Sequence, residues 1–527
     1  RLKKWPSLWP ILLALLLCVP AIAATVFAGF LFFENIHPQW LFPYTFSWAL
    51  LFVTGSWILI RWGRIKAGET LVAASWSRSK IAGAFVIALA LQWSTMTALD
   101  NAAKLEAAAD QTMALNRAQT ILPSPPSTEE DAAEIYNQVE EEMGEVPEWL
   151  WDAATNPAFD PESEMAQSLL QDNKTTISLI KEAVQKPRLY HPLLLTFDFE
   201  IPKTAPPKNS ARLLALESRT HVRNGNIIAA LDNIYGMNQI AEHFNQTPTL
   251  VNVLVAGAIH VDAKKTLEIL MAEKPTQSKI KPPLPLKSHD HILQSFRTGI
   301  KYENQMNVFG IGSFLIKDIS DSDLYLDTFE DEAHKKWKIF IINNFAGPLY
   351  RIFLFHDDRI SREHYWNEFH DFISQPYYKV KPAFKEWQED LNESHEFGFF
   401  MSFNSPAITG YFERVTHLQT QFLLGRLGLA SAAYHSDHGK YPATLDVLAP
   451  KYITEIPIDP FSGEPLKMKT MDNGLILYGV GQDLKDDGGT AFDRGTEEGD
   501  IAFYLGSAYK KYRLNPALEA MKNRAKE

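Results

Sequence analysis

Apolar residues follow three different rhythms along the chain. Near the amino terminus they run unbroken: the 26 residues from Leu8 to Phe33 carry no charge, a second run covers about 44–61, and a third covers about 81–98. The last of these turns polar at Gln92, Ser94 and Thr95. A hydrocarbon core of about 30 Å takes about 20 apolar residues of helix, so the pattern predicts three N-terminal transmembrane helices within residues 1–99. Trp40, Tyr44, Trp57 and Trp62 bracket the second run as interfacial anchors. Two processing signals are imitated, a secretory peptide ending at Ala21-Ile22-Ala23 and an acylation site at Leu15 to Cys18. The apolar run continues past Ala23, however, and Leu17 is too large for the position before an acylated cysteine.

From residue 100 the spacing becomes helical. An Ala-rich helical extension and a Pro-rich linker occupy 100–126, where Pro123, Pro125 and Pro126 end the helix. Residues 127–400 read as an α-helical domain, with a fresh helix start at Ser127 followed by Glu129 and Glu130. Its cleanest periodicity lies at 209–272. Leu213, Leu214, Leu216 and Val222 lead into Asn224-Gly225-Asn226, and Ile227, Ala230, Leu231, Ile234 and Ile240 resume on a second helix. Thr247 as N-cap and Pro248 at the first helical position open a third. This is a repeat-like hairpin with no second copy at a matching period.

The third rhythm begins after one more long helical stretch, 406–436. Strand-like runs at 465–470 and 475–480 flank Asp472-Asn473-Gly474, the strongest local hairpin signal, and a last strand is predicted at 501–505. Residues 405–510 thus read as a small α+β domain, followed by a helical tail at 511–527. The predicted fold is mainly α: three membrane helices, a helical periplasmic domain and the α+β domain.

Charge adds direction. Residues 1–99 hold eight basic and two acidic side chains, so the formal net charge of −12 leaves −18 on the remaining 428 residues. Nucleic acid is not an expected partner of so acidic a body. Three basic residues precede the first span, none lies between Glu34 and Pro43, and five lie between Arg61 and Lys80. The positive-inside rule then predicts a bacterial inner-membrane protein with its amino terminus cytoplasmic and residues beyond about 100 periplasmic. Expected partners are the lipid bilayer and other membrane or periplasmic proteins. Cys18 is the single cysteine, which excludes an intrachain disulfide and Cys-based zinc, iron–sulfur or c-type haem sites in this sequence.

Catalytic motifs are scarce. His364, Glu368 and Asp371 fall at i, i+4 and i+7 on one predicted helix face, a spacing that a zinc hydrolase could use but that is not the two-His zincin pattern. Gly310-Ile311-Gly312-Ser313 lacks the closing glycine of a nucleophile elbow, and no Walker sequence occurs. The loop after 479 is chemically richer. Asp483, Asp486, Asp487, Asp493 and Asp500 are interleaved with Gly479, Gly481, Gly488 and Gly489. Calcium takes six to eight oxygens at about 2.3–2.6 Å, and carboxylates on a glycine-permissive loop supply that kind of donor. A solvated acidic loop closed by glycine turns would carry the same residues.

The tail resembles a known family. A long helix, His438-Gly439-Lys440-Tyr441-Pro442, the stretch Ile456-Pro457-Ile458-Asp459-Pro460-Phe461-Ser462-Gly463-Glu464-Pro465-Leu466, then Leu477-Tyr478-Gly479-Val480-Gly481-Gln482-Asp483 and Gly499-Asp500-Ile501 are similar to the globular domain of type II secretion major pseudopilins. The resemblance covers about 410–505. It implies a calcium-binding loop, with Asp483 and Asp500 at the matching places and Asp487 and Asp493 by position in the loop. The whole chain also resembles bacterial multi-span envelope proteins of unknown function that carry such a tail. It departs from pseudopilins in lacking a prepilin peptidase site and in the more than 300 residues between the spans and the tail. The expected function is a non-enzymatic, membrane-anchored periplasmic scaffold or interaction subunit of an envelope complex. The alternatives are an accessory component of a type II secretion or pilus-like machine, and a metal-dependent hydrolase built around His364.

Overall fold

Eleven apolar residues, Ile81 to Leu91, lie near the start of the longest described helix, α1 (Arg78–Ile121), and at 1.5 Å per residue they cover only about 16 Å before Gln92, Ser94, Thr95 and Thr97 intervene. That shortfall corrects the membrane-anchored reading. Among the described residues no helix is long and apolar enough to cross a membrane, so the expected span at 81–98 is the first part of a longer mixed helix. The expected spans at 8–33 and 44–61 lie outside the described residues. The computed structural model describes residues 78–191, 204–273, 291–316, 347–393, 401–491 and 498–524, with Lys336 and Asn343. Over these the fold is mainly helical with one three-stranded sheet.

After α1 come α2 (Ala133–Glu142), α3 (Trp149–Thr155), α4 (Glu164–Asp172), α5 (Lys174–Ala183), α6 (Ala205–Arg223), α7 (Ile227–Asn245), α8 (Leu250–Glu273) and α9 (His291–Ile316). They are followed by α10 (Gly347–Phe353), α11 (Phe355–Ile373), α12 (Tyr377–Glu393) and α13 (Met401–His438). The sheet strands are β1 (Lys467–Met471), β2 (Gly474–Gly479) and β3 (Ile501–Gly506), and short helices α14 (Ser507–Tyr509) and α15 (Asn515–Arg524) follow. Two helix starts differ from the sequence reading. Residues 128–130 form a turn, and α2 begins only after Asp131, whose Oδ1 accepts from Ala133 N at 3.1 Å. The cap of α8 is Thr249, whose hydroxyl accepts from Asn252 N at 3.2 Å, two residues beyond the expected Thr247.

The chain divides into two compact units, each assembled from separate segments. In the described part of the first, residues 78–113, 308–316 and 347–365, a small apolar core of Ala107, Ile311, Leu315 and Phe355 sits beside a polar one. Arg351 grips Asp100 with two nitrogens, Nε to Oδ1 at 2.6 Å and Nη2 to Oδ2 at 3.2 Å. Arg359 reaches Glu106 at 3.3 Å and Asp110 at 3.6 Å. Tyr350 donates to Asp358.

The second unit holds residues 114–307, 366–395 and 404–527. The expected hairpin is present as α6 and α7, joined at Asn224-Gly225-Asn226, where Gly225 has φ +76° and Asn226 caps α7. Helix α8 lies across this pair and is buried on nearly every face, from Val253 and Ile259 to Leu267 and Met271. The sheet is antiparallel in the order β1-β2-β3, with Met468 opposite Leu477 and Ile476 opposite Tyr504. Asn473 turns the hairpin at φ +54°, as its Asn-Gly sequence predicts. Every residue of β2 and β3 is buried. Part of what buries them is α8, since Ile269 and Ala272 pack with Ile476, Ala502 and Tyr504. Another part is α13, where Gly428 has no side chain and the Phe503 ring lies so close that an added Cβ would stand 2.4 Å from it.

Candidate functional site

The acidic loop leaves β2 at Gly479 and returns at Ile501 to start the neighbouring strand β3, so both of its stems are fixed by the sheet. A residue outside the loop anchors its entrance. Asp459, in the turn before β1, is 1% exposed and accepts from Val480 N at 2.9 Å, Phe461 N at 3.0 Å and the Ser462 hydroxyl at 3.2 Å. Burial raises its pKa, and these N–H and O–H donors oppose the rise by favouring the carboxylate. Gly479 makes room for it, because a Cβ there would sit 3.0 Å from the Asp459 carboxyl carbon. From the side, Lys381 of α12 donates to the Gln482 carbonyl, and the Tyr377 ring meets Phe461 edge-on at 5.4 Å.

The structure places three of the four expected calcium ligands in this loop; Asp493 lies outside the described residues. Asp500 is fully buried. Its Oδ2 accepts from Gly489 N at 2.6 Å, and its own N–H donates to Thr490 O at 2.7 Å. Oδ1 has no partner. Burial pushes its pKa up to about 6, and the charges of Asp486 and Asp487 push the same way against main-chain hydrogen bonds from Gly489 and Asp487. Asp483 shows the same asymmetry, with Oδ1 accepting from Lys485 N at 3.1 Å and Oδ2 buried without a partner. Asp487 has an exposed side chain, and its carbonyl accepts from the Thr490 hydroxyl at 2.8 Å. Asp486 is engaged elsewhere, 2.6 Å from Lys467 of β1. Among the described residues no group of three or more His, Cys, Asp or Glu is gathered closely enough to hold a metal. The described acids of the loop therefore share one segment without converging on one point. The two orphaned oxygens, both hard donors, are the part of the donor set that suits calcium.

On α11 the other candidate constellation is dispersed into ordinary contacts. His364 and Asp371 are exposed, and Glu368 accepts from the Trp387 indole at 2.7 Å.

Sequence reasoning missed a third polar centre, at the meeting of α8 and β3. Lys264 is 4% and Glu268 2% exposed. The Lys264 ammonium donates to Ala502 O at 2.8 Å, Glu268 Oε1 accepts from Tyr504 N at 3.0 Å, and the two side chains lie 3.5 Å apart. Burial pulls Lys264 down to about 8, while the Glu268 carboxylate pulls it up. The signal was present in the sequence, as two opposite charges at i and i+4 in a helix with apolar residues on most of its positions. Arg219 was missed as well. Its guanidinium is 2% exposed and donates to the carbonyls of Ala153 (2.6 Å), Asn156 (2.9 Å) and Phe159 (2.6 Å). No family model, curated protein or solved structure matches the chain.

Proposed function

We propose that this chain is a non-enzymatic scaffold or interaction subunit of a bacterial envelope assembly. One observation carries the reading: buried polar side chains with shifted pKa values spend their polar atoms on main-chain groups of distant segments. Arg219 gathers carbonyls of 153–159, the His243 ring contacts Lys186 O at 2.8 Å and Tyr136 Oη at 3.0 Å, and Lys264 holds Ala502 O. Such groups join pieces of chain, and their polar atoms serve the fold instead of facing a common point. In-cell cross-linking of the full chain, read by mass spectrometry, tests the proposal. A recurring set of partner proteins in fixed ratio supports it, and a chain that cross-links only to itself or at random removes it.

A second reading, an accessory role in a type II secretion or pilus-like machine, is favoured by the sequence of 410–505, its Asn-Gly hairpin and its acidic loop. Cross-links to a secretion ATPase or to pilin-like chains would select it. Within either reading the loop is proposed as a calcium site through Asp483, Asp487, Asp493 and Asp500. The unpartnered oxygens of Asp483 and Asp500 support that proposal, since each is a buried acceptor of the kind a cation satisfies. Melting the full chain in calcium, in magnesium and in chelator tests it, and three coincident curves would leave the loop merely acidic.

A further inference from the structure

Among the described residues strand β3 is paired with β2 along one side only, so alternate residues of β3 direct their main-chain groups to the other side, where a fourth strand would lie. Two of those groups, the carbonyl of Ala502 and the N–H of Tyr504, are met by Lys264 and Glu268. We infer that α8 serves as a surrogate edge strand: Lys264 supplies the donor and Glu268 the acceptor that a fourth strand would offer, closing β3 to strand addition by any partner.

The geometry favours this function over a plain ion pair. Residues two apart in a strand are separated by about 6.8 Å, and residues four apart in a helix rise by about 6 Å. An i, i+4 pair on a helix laid along a strand therefore reaches both outward groups of residues i and i+2 at once. The polarity also matches, ammonium to carbonyl and carboxylate to N–H. The longest contact of the three is the one between the charges, 3.5 Å against 2.8 and 3.0 Å to the strand. Unpaired edges of this kind otherwise template pairing with another chain. Around the pair, Ile269 and Ala272 pack on Ala502 and Tyr504, so the edge is sealed from water as well. Strand-mediated assembly through the tail is thereby confined to the opposite edge, β1, whose Lys467 and Lys469 are of the type that discourages it. The inference is independent of any cation in the loop.

Its test is hydrogen exchange of residues 501–506 in the full chain, comparing variants that separate hydrogen bonding from charge. Lys264→Met with Glu268→Gln removes both charges but keeps an acceptor for Tyr504 N, whereas Lys264→Met with Glu268→Leu removes the acceptor too. The second pair should exchange about tenfold faster than the first over 501–506, the effect of one lost buried hydrogen bond. Lys264→Glu with Glu268→Lys keeps an ion pair but sets a carboxylate against the Ala502 carbonyl and an ammonium against the Tyr504 N–H. It should lose protection at least as severely as the leucine variant. Equal exchange in the glutamine and leucine variants, or wild-type protection in the charge swap, would overturn the inference and reduce the contact to an ion pair. If the swap fails to fold, the glutamine and leucine variants decide.

Discussion

Two acidic side chains are buried at β3 within the same unit, and they are treated in opposite ways. Glu268, 2% exposed, meets a cation and a main-chain N–H. Asp500, fully buried at the entrance to the strand, meets main-chain N–H groups and, among the described residues, no cation. A buried carboxylate needs compensation of its charge, and without it the proton is favoured. The α8 junction carries its compensation within the chain, so it is complete as folded. The loop does not, and its carboxyl is correspondingly pushed up to about 6. One site is self-sufficient, and the other is left needing a proton or a cation from outside.

The sharpest way to break this contrast is to make the junction resemble the loop. Glu268→Leu alone strands the Lys264 ammonium in the interior and should lower unfolding free energy by about 3–5 kcal/mol, read by urea titration. A loss within 0.5 kcal/mol would show that Lys264 finds compensation elsewhere. Next comes the converse, supplying the loop with its missing charge. Calcium at about 100 times its dissociation constant should add roughly 2.7 kcal/mol to the full chain. Asp500→Asn should reverse sign with conditions, raising the melting temperature in chelator by removing a buried charge and lowering it in calcium by removing a ligand. The same direction in both buffers would remove Asp500 from the site.

A smaller effect distinguishes the two by pH. Lys264 has a folded pKa of about 8 against an ordinary 10.5, so between those values the unfolded chain holds more protons. Stability should then rise as pH climbs from about 8 to 10.5, with the slope abolished in Lys264→Met; a slope unchanged in that variant would refute the assignment. The smallest change is expected for Lys381→Gln, which weakens the α12 contact with the Gln482 carbonyl. It should cost about 1 kcal/mol and leave the junction's hydrogen exchange untouched. Loss of protection at 501–506 in that variant would mean that the two regions are coupled.

Much of the local structure was legible in the sequence. Asn224-Gly225-Asn226 and Asp472-Asn473-Gly474 each encode a turn through residues that tolerate the required backbone, and the adjoining periodicities gave α6, α7 and β2. The expected span at 81–98 failed because a run of apolar residues was extended through Gln92 and Ser94 on the strength of its first half. The loop's acids were visible because they are close in sequence. Asp459 was not, because its role comes from a turn 21 residues before Val480, and Lys264 and Glu268 were not, because their partners lie 238 and 236 residues away. Pattern reading sees neighbours, and these contacts are made by the fold.

That same distance sets a clock on biosynthesis. At about 5–20 residues per second, Ala502 is polymerised roughly ten to fifty seconds after Lys264. Throughout that interval α8 is already made, yet the strand it serves does not exist, and its apolar surface at Ile269 and Ala272 has nothing to cover it. Maturation of this unit must therefore wait until β3 has been synthesised. A nascent chain stalled before residue 500 should be a strong client of holding chaperones, whereas one released after residue 506 should not.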